Sequence, residues 1–400
     1  MVSRDVHSAY YTPNPTKSVD RVILNLTRHL PRGIAMHRRT FLGHALTASA
    51  ALTSGHLARA ETATNPRTQA DLSISLNRQP TLTPVLAKRL EPGMTVGVVA
   101  PASNAFEDED IRYALDIVES LGFKARPGRH LFDRKGYLAG ADADRASDLN
   151  AMFTDSSVDA VFCARGGYGT MRILPLLDYA GIRANPKVLL GYSDITALMS
   201  AIHRYSALIT FHGPIATQEY TPYTYTAFQR TLIEHRSPLA LGAPPPFDSG
   251  PGRVERENRL QTLVPGQAEG HLIGGNLSLV AALMGTPFEP RFDGGILVLE
   301  DVDEAPYRVD RMLTQLKLAG VFSRVNGVVF GKFTDYKVSG PSISMGEVLE
   351  DRCGDLQIPV LKGLMIGHVR DQAIIPIGAR AELDATRQTL TLKGPYLTNG

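Results

Sequence analysis

The chain has 400 residues, 43% of them hydrophobic and 20% charged, with a formal net charge of +2. That suits a folded globular protein of about two domains, and the near-neutral balance excludes a broad nucleic-acid-binding surface. Its two cysteines, Cys163 and Cys353, lie far apart, which excludes a cysteine-rich zinc module or a disulfide scaffold.

Residues 1–35 carry no convincing periodicity. From Met36 the chain reads His37-Arg38-Arg39-Thr40-Phe41-Leu42, and a modestly apolar stretch runs over 41–52. Ala58-Arg59-Ala60 then supplies small residues at the spacing of a signal-peptidase site. The order of these features predicts a twin-arginine export signal within residues 1–60, with a mature start near 61 and a periplasmic destination. The apolar stretch is too short and too polar for a stable membrane span. Initiation at Met36 rather than Met1 would account for the featureless first 35 residues. Residues 61–83 read as a linker by composition.

A first domain is expected over 84–235. Residues 94–100 form an apolar run ending at Pro101-Ala102-Ser103. An acidic start at 107–110 leads a helical stripe of Ile111, Ala114, Leu115, Val118 and Leu121, closed by Gly122. Residues 145–153 are a second helix. Residues 158–163 are a strand running into Arg165-Gly166-Gly167-Tyr168-Gly169, followed by a helix through Ile173, Leu174 and Leu177. The apolar run 188–190 ends at Gly191, Ser193 follows, and Ile195, Leu198, Met199 and Ile202 keep a helical period. Another strand covers 208–211. Strands alternating with helices predict a parallel sheet covered on both faces. Ligands of such sheets bind at the loops after the strands' carboxyl ends, where Gly166, Gly167 and Ser193 all lie.

A Pro/Gly-rich break over 236–258 reads as an interdomain linker. The second domain, 259–400, reads as α+β with a partly barrel-like sheet. Its strands fall at 295–300, 325–330, 359–362, 374–377, 379–383 and 388–392. Its helices follow Pro306 and cover 343–353.

Ser193 sits on a strand–turn–helix corner that lifts a hydroxyl toward the backbone N–H groups of the next helix. Gly191-Tyr192-Ser193-Asp194-Ile195 lacks the second glycine of a nucleophile elbow, and a serine there also suits a helix cap. A serine nucleophile needs a base, an orienting acid and oxyanion donors. His368, in a glycine-preceded loop, is the best base; His271 and His212 are rivals. The acid is one of Glu300, Asp301, Asp303 and Glu304, with Glu300 on the most rigid backbone. Backbone N–H groups of 165–169 and of Asp194 are candidate oxyanion donors.

The ordered motifs carry a resemblance. Val98-Val99-Ala100-Pro101-Ala102-Ser103, Ala164-Arg165-Gly166-Gly167-Tyr168-Gly169-Thr170, Gly191-Tyr192-Ser193-Asp194-Ile195-Thr196-Ala197, Gly274-Gly275-Asn276-Leu277, Leu299-Glu300-Asp301-Val302, Pro306-Tyr307-Arg308-Val309-Asp310-Arg311-Met312 and Gly367-His368 follow one another. Together they resemble the LD-carboxypeptidase family of serine peptidases, also called muramoyltetrapeptide carboxypeptidases, from about Pro84 almost to the C-terminus. The resemblance implies a triad of Ser193, Glu300 and His368, with Gly166 and Asp194 N–H groups as oxyanion donors and no metal or cofactor. It implies an α/β fold whose N-terminal parallel-sheet domain is like class I glutamine amidotransferases, with a C-terminal swivelling-type β domain, commonly in a homodimer. The implied reaction removes terminal D-alanine from peptidoglycan tetrapeptides, cutting its bond to an L-centre, usually of diaminopimelate. Arg165, Arg308 and Arg370 are candidate partners for substrate carboxylates. Well-known members recycle muropeptides in the cytoplasm, whereas this leader points outward. Two alternatives follow: a microcin-immunity-type carboxypeptidase acting on peptidyl or aminoacyl nucleotides, and a catalytically silent muropeptide-binding protein. The first favours an aromatic platform for the base, and the chain has no Trp.

Overall fold

The structure, a computed structural model, describes residues 82–399; the predicted leader lies outside them. Strands β1 (Thr95–Val99), β2 (Lys124–Pro127), β3 (Ala160–Cys163), β4 (Val188–Gly191) and β5 (Thr210–His212) alternate with helices. These are α1 (Asp108–Ser120), α2 (Asp142–Thr154), α3 (Thr170–Ile173), α4 (Tyr179–Ala184) and α5 (Ile195–Ser206). The strands pair in parallel in the order β5-β4-β3-β1-β2. Every residue of β3 and β4 is buried. That is why both read as unbroken apolar runs: helices cover both faces of a parallel sheet.

The remaining elements are α6 (Pro222–Phe228), β6 (Leu239–Ala240), β7 (Gln261–Val264), β8 (Gln267–Asn276), α7 (Leu277–Leu283), β9 (Gly295–Val302), α8 (Pro306–Leu318), β10 (Gly327–Thr334), α9 (Met345–Cys353), β11 (Val360–Lys362), β12 (Ile375–Ile377), β13 (Arg380–Asp384) and β14 (Thr389–Leu392). They build a second sheet of order β6-β14-β13-β8-β9-β10-β11-β7. Its centre, β8 to β11, is parallel, and its flanks are antiparallel. Among the described residues no helix is long and apolar enough to cross a membrane.

Several elements depart from expectation. Strand β12 leaves its chain neighbours and pairs antiparallel with β5, so the first sheet takes a strand from the C-terminal stretch. The helix expected through Leu177 stops at Ile173, and a 3-10 turn follows at Leu174–Leu176. Pro175 has no N–H to continue the ladder. Strand β9 runs on past Glu300, where the sequence reading ended it, through Asp301 to Val302. Cys163 and Cys353 are both free and buried, in different hydrophobic clusters.

Candidate active site

Strand β4 delivers Gly191 to the carboxyl edge of the first sheet, and α5 starts at Ile195. Between them Ser193 takes φ +64°, a left-handed conformation that a non-glycine residue holds only when its surroundings impose it. Asp194 imposes part of it. Its buried carboxylate Oδ2 accepts from Thr170 N at 2.8 Å, and Thr170 Oγ1 donates to the Asp194 carbonyl at 2.6 Å. The turn is thereby tied to the start of α3. The capping reading of Ser193 fails: Asp194 is the N-cap, and the Ser193 hydroxyl bonds no helix N–H.

Gly166 lies against the serine. A Cβ on Gly166 would sit 2.9 Å from Ser193 Cβ and 3.3 Å from Ser193 Oγ. Only glycine permits this approach. Among the described residues, neither Gly166 N–H nor Asp194 N–H donates to a protein acceptor. Both donors are free for a ligand oxygen near Ser193. The loop is held from behind by Arg145, whose buried guanidinium bonds the carbonyls of Pro101 and Gly169 and reaches Asp142 Oδ1 at 2.5 Å. Sequence reasoning missed Arg145. Its one signal was a charge beside the buried Ala146 and Leu149 of α2.

His368 Nδ1 and Glu300 Oε2 are 2.7 Å apart. Glu300 is fully buried, whereas His368 stays partly open, at 17% side-chain exposure. Gly367 makes the pairing possible: at φ +105°, a Cβ there would meet Glu300 Oε2. The Thr334 hydroxyl of β10 donates to the His368 carbonyl at 3.2 Å, anchoring the loop. Tyr192 joins the dyad to the serine turn. Its ring lies 4.7 Å from the His368 ring and 6.0 Å from that of His212. Burial, with the nearby Glu300 charge, pushes its hydroxyl up to about 12. Tyr192 was legible only as part of a motif.

The rival groups separate cleanly. His212, the last residue of β5, is fully buried, and neither ring nitrogen has a partner among the described residues. Burial pushes it down to about 4, so it is neutral at pH 7. His271 lies within β8, its Nε2 against the Arg291 carbonyl at 3.0 Å. Asp301 is not a solvated loop residue. It is buried and accepts from Asn276 Nδ2, Ser278 N, Ser278 Oγ and Val302 N. Burial raises it to about 6. Asp303 is exposed, and Glu304 pairs with Arg308 at 3.5 Å. Arg165 and Arg370 are exposed. His130, Asp133 and Asp144 bring potential metal-ligand atoms within 4.8 Å of one another, but His130 Nδ1 is already bonded to Asp133 at 2.7 Å.

Residues 96–213 match the family model for the LD-carboxypeptidase N-terminal domain, and residues 269–383 match that for its C-terminal domain. The chain belongs to the LD-carboxypeptidase family. It is 39% identical over 326 residues to a probable murein peptide carboxypeptidase of Bacillus subtilis, covering 80% of this chain and 95% of that protein. The LD-carboxypeptidase also superposes on solved structures. A muramoyltetrapeptide carboxypeptidase from Oxalobacter formigenes gives a TM-score of 0.65 at 29% identity, covering 76% of this chain and all of that one. The microcin C7 self-immunity protein MccF of Escherichia coli gives 0.71 at 28% identity, covering 79% of this chain and all of that one.

Proposed function

We propose that this LD-carboxypeptidase releases the terminal D-alanine of peptidoglycan tetrapeptides through an acyl-enzyme on Ser193. The observation that carries the reading is the 2.7 Å contact between buried Glu300 and His368, whose ring lies against Tyr192, the residue before a left-handed Ser193. His368 takes the Ser193 proton as Oγ attacks the carbonyl of the L-centre. Glu300, in contact with Nδ1, stabilises the resulting imidazolium and fixes the tautomer that leaves Nε2 as the base. The Gly166 and Asp194 N–H groups receive the developing oxyanion, at a site where each donor is worth ~10²–10³ in rate. The imidazolium then protonates the departing D-alanine nitrogen. Water, deprotonated by His368, resolves the ester and regenerates Ser193. No step draws on a metal or a cofactor. The likeness to a probable murein peptide carboxypeptidase of Bacillus subtilis and to a muramoyltetrapeptide carboxypeptidase of Oxalobacter formigenes supports the substrate class.

The likeness to the self-immunity protein supports a second reading, cleavage of a peptidyl or aminoacyl nucleotide. Tyr137 and Tyr168, edge-on at 5.6 Å and both exposed beside the glycine loop, offer aromatic surface in place of Trp. The leader supports a periplasmic enzyme, and the family resemblance supports a homodimer. Purified enzyme incubated with defined tetrapeptides, pentapeptides and an aminoacyl sulfamoyl nucleotide tests the reading. D-Alanine and a tripeptide should appear from the tetrapeptide. Cleavage of the nucleotide alone favours the second reading, and stoichiometric tetrapeptide binding without turnover favours a silent binding protein.

A further inference from the structure

We infer that a recess beside Arg165 reads the third residue of the stem peptide and takes a zwitterion, the free ammonium and carboxylate at the distal end of a diaminopimelate side chain. This rests on the reading of Ser193 as the nucleophile of a stem-peptide carboxypeptidase. The recess is about 250 Å³ and is lined by Ala105, Asp110, Tyr113, Arg165 and Thr217. These come from the loop after β1 and the start of α1, the end of β3, and the segment after β5. All lie at the sheet edge that carries Ser193.

Arg165 directly precedes Gly166, so its Cα is only ~3.8 Å from that of the glycine lying against Ser193. Its Nη1 donates to the Asn104 carbonyl at 2.9 Å, which turns the guanidinium toward the β1 loop and holds it there. Among the described residues no carboxylate pairs with it. Asp110 uses Oδ2 to accept from Glu107 N at 3.3 Å and has no basic partner among them either. A cation and an anion thus share one recess without neutralising each other, and each keeps its charge for a ligand. A recess for a lone carboxylate would exclude Asp110. One for a lone ammonium would exclude Arg165. An amino-acid head group satisfies both, and the Tyr113 ring walls its methylene stem. In diaminopimelate that head lies five carbon–carbon bonds from the attacked carbonyl carbon, about 6 Å when extended. The terminal D-alanine carboxylate lies closer to the scissile bond and carries no free ammonium before cleavage.

The test compares kcat/KM for three tetrapeptides whose third residue is diaminopimelate, diaminopimelate with an amidated distal carboxyl, or lysine. The wild type should favour free diaminopimelate about tenfold or more over both others. In Arg165→Gln that preference should collapse toward one, and Asp110→Asn should weaken all three peptides together, because each keeps the distal ammonium. An indifferent wild type, or an Arg165→Gln variant that loses the same factor on all three peptides, overturns the inference; the latter result would assign Arg165 to the terminal carboxylate. If no peptide releases D-alanine, the proposed function falls. The recess is then decided by calorimetry with free diaminopimelate. Binding that Arg165→Gln abolishes supports it, and absent or unchanged binding overturns it.

Discussion

Glu300 and Asp301 are neighbours on one strand, and their side chains point to opposite faces of it. One meets His368 and the other a ring of donors from Asn276, Ser278 and Val302. Their amide variants should therefore fail differently. Glu300→Gln should keep its melting temperature and lose turnover by up to ~10⁴, as in the serine-protease triad. Asp301→Asn places an NH₂ among groups that donate, and should cost about 1–3 kcal/mol of stability while the folded fraction still turns over. Denaturant melts beside D-alanine release separate the two. The reverse pattern would move the triad acid to Asp301. His212 gives a pH signature. Its folded-state value, about 4, lies below its ordinary 6.5 because burial disfavours the cation, and His203 is pushed down to about 4 in the same way. The unfolded chain takes up these protons first, so stability that is full above pH 6.5 drains away as the pH falls toward 4. Replacing His212 by Asn should flatten that acid-side loss of melting temperature. An unchanged slope would mean that His212 is not buried neutral.

The elements that deliver the site depend on close backbone approach. Gly367→Ala would drive a Cβ into the Glu300 carboxylate at a φ of +105°. It should lower both turnover and melting temperature, because it forces the dyad apart and strains the loop. Gly166→Ala would collide with Ser193 Cβ. It should lower turnover mainly, and an active Gly166→Ala enzyme would show that this loop is not beside the reacting bond. What the sequence made legible follows the same physics. Strands β3 and β4 announce themselves because both of their faces are buried. Helix α5 does so because its apolar stripe begins directly after the turn. β9 was ended at Glu300 because Asp301 read as the start of a charged loop, whereas it is buried among donors from Asn276, Ser278 and Val302. β12 was misplaced because Ile375 and Ile377 pair with His212 and Thr210, far away in the chain. Local pattern carries no record of such a partner.

At the scale of the molecule, the site is assembled from segments that do not adjoin in the chain, with Glu300 and His368 68 residues apart. Their convergence was not derivable from spacing; the ordered motifs supplied it. The free Gly166 and Asp194 donors and the clamp by Arg145 needed the folded backbone. The export signal proposed for residues 1–60 belongs to this scale too. Replacing Arg38 and Arg39 by Lys should leave unprocessed precursor inside the cell, because the twin-arginine route reads the guanidinium pair. Unchanged fractionation on immunoblots would argue against that route. The central claim, nucleophilic attack by Ser193, is tested most directly by D-alanine release from a defined tetrapeptide in the Ser193→Ala variant, with folding checked by circular dichroism. The small half-buried side chain caps no helix, so the variant should fold and melt like the wild type. Its turnover should fall by at least ~10³, as for removal of a serine-protease nucleophile. A folded Ser193→Ala protein that releases D-alanine within tenfold of the wild-type rate would contradict the account.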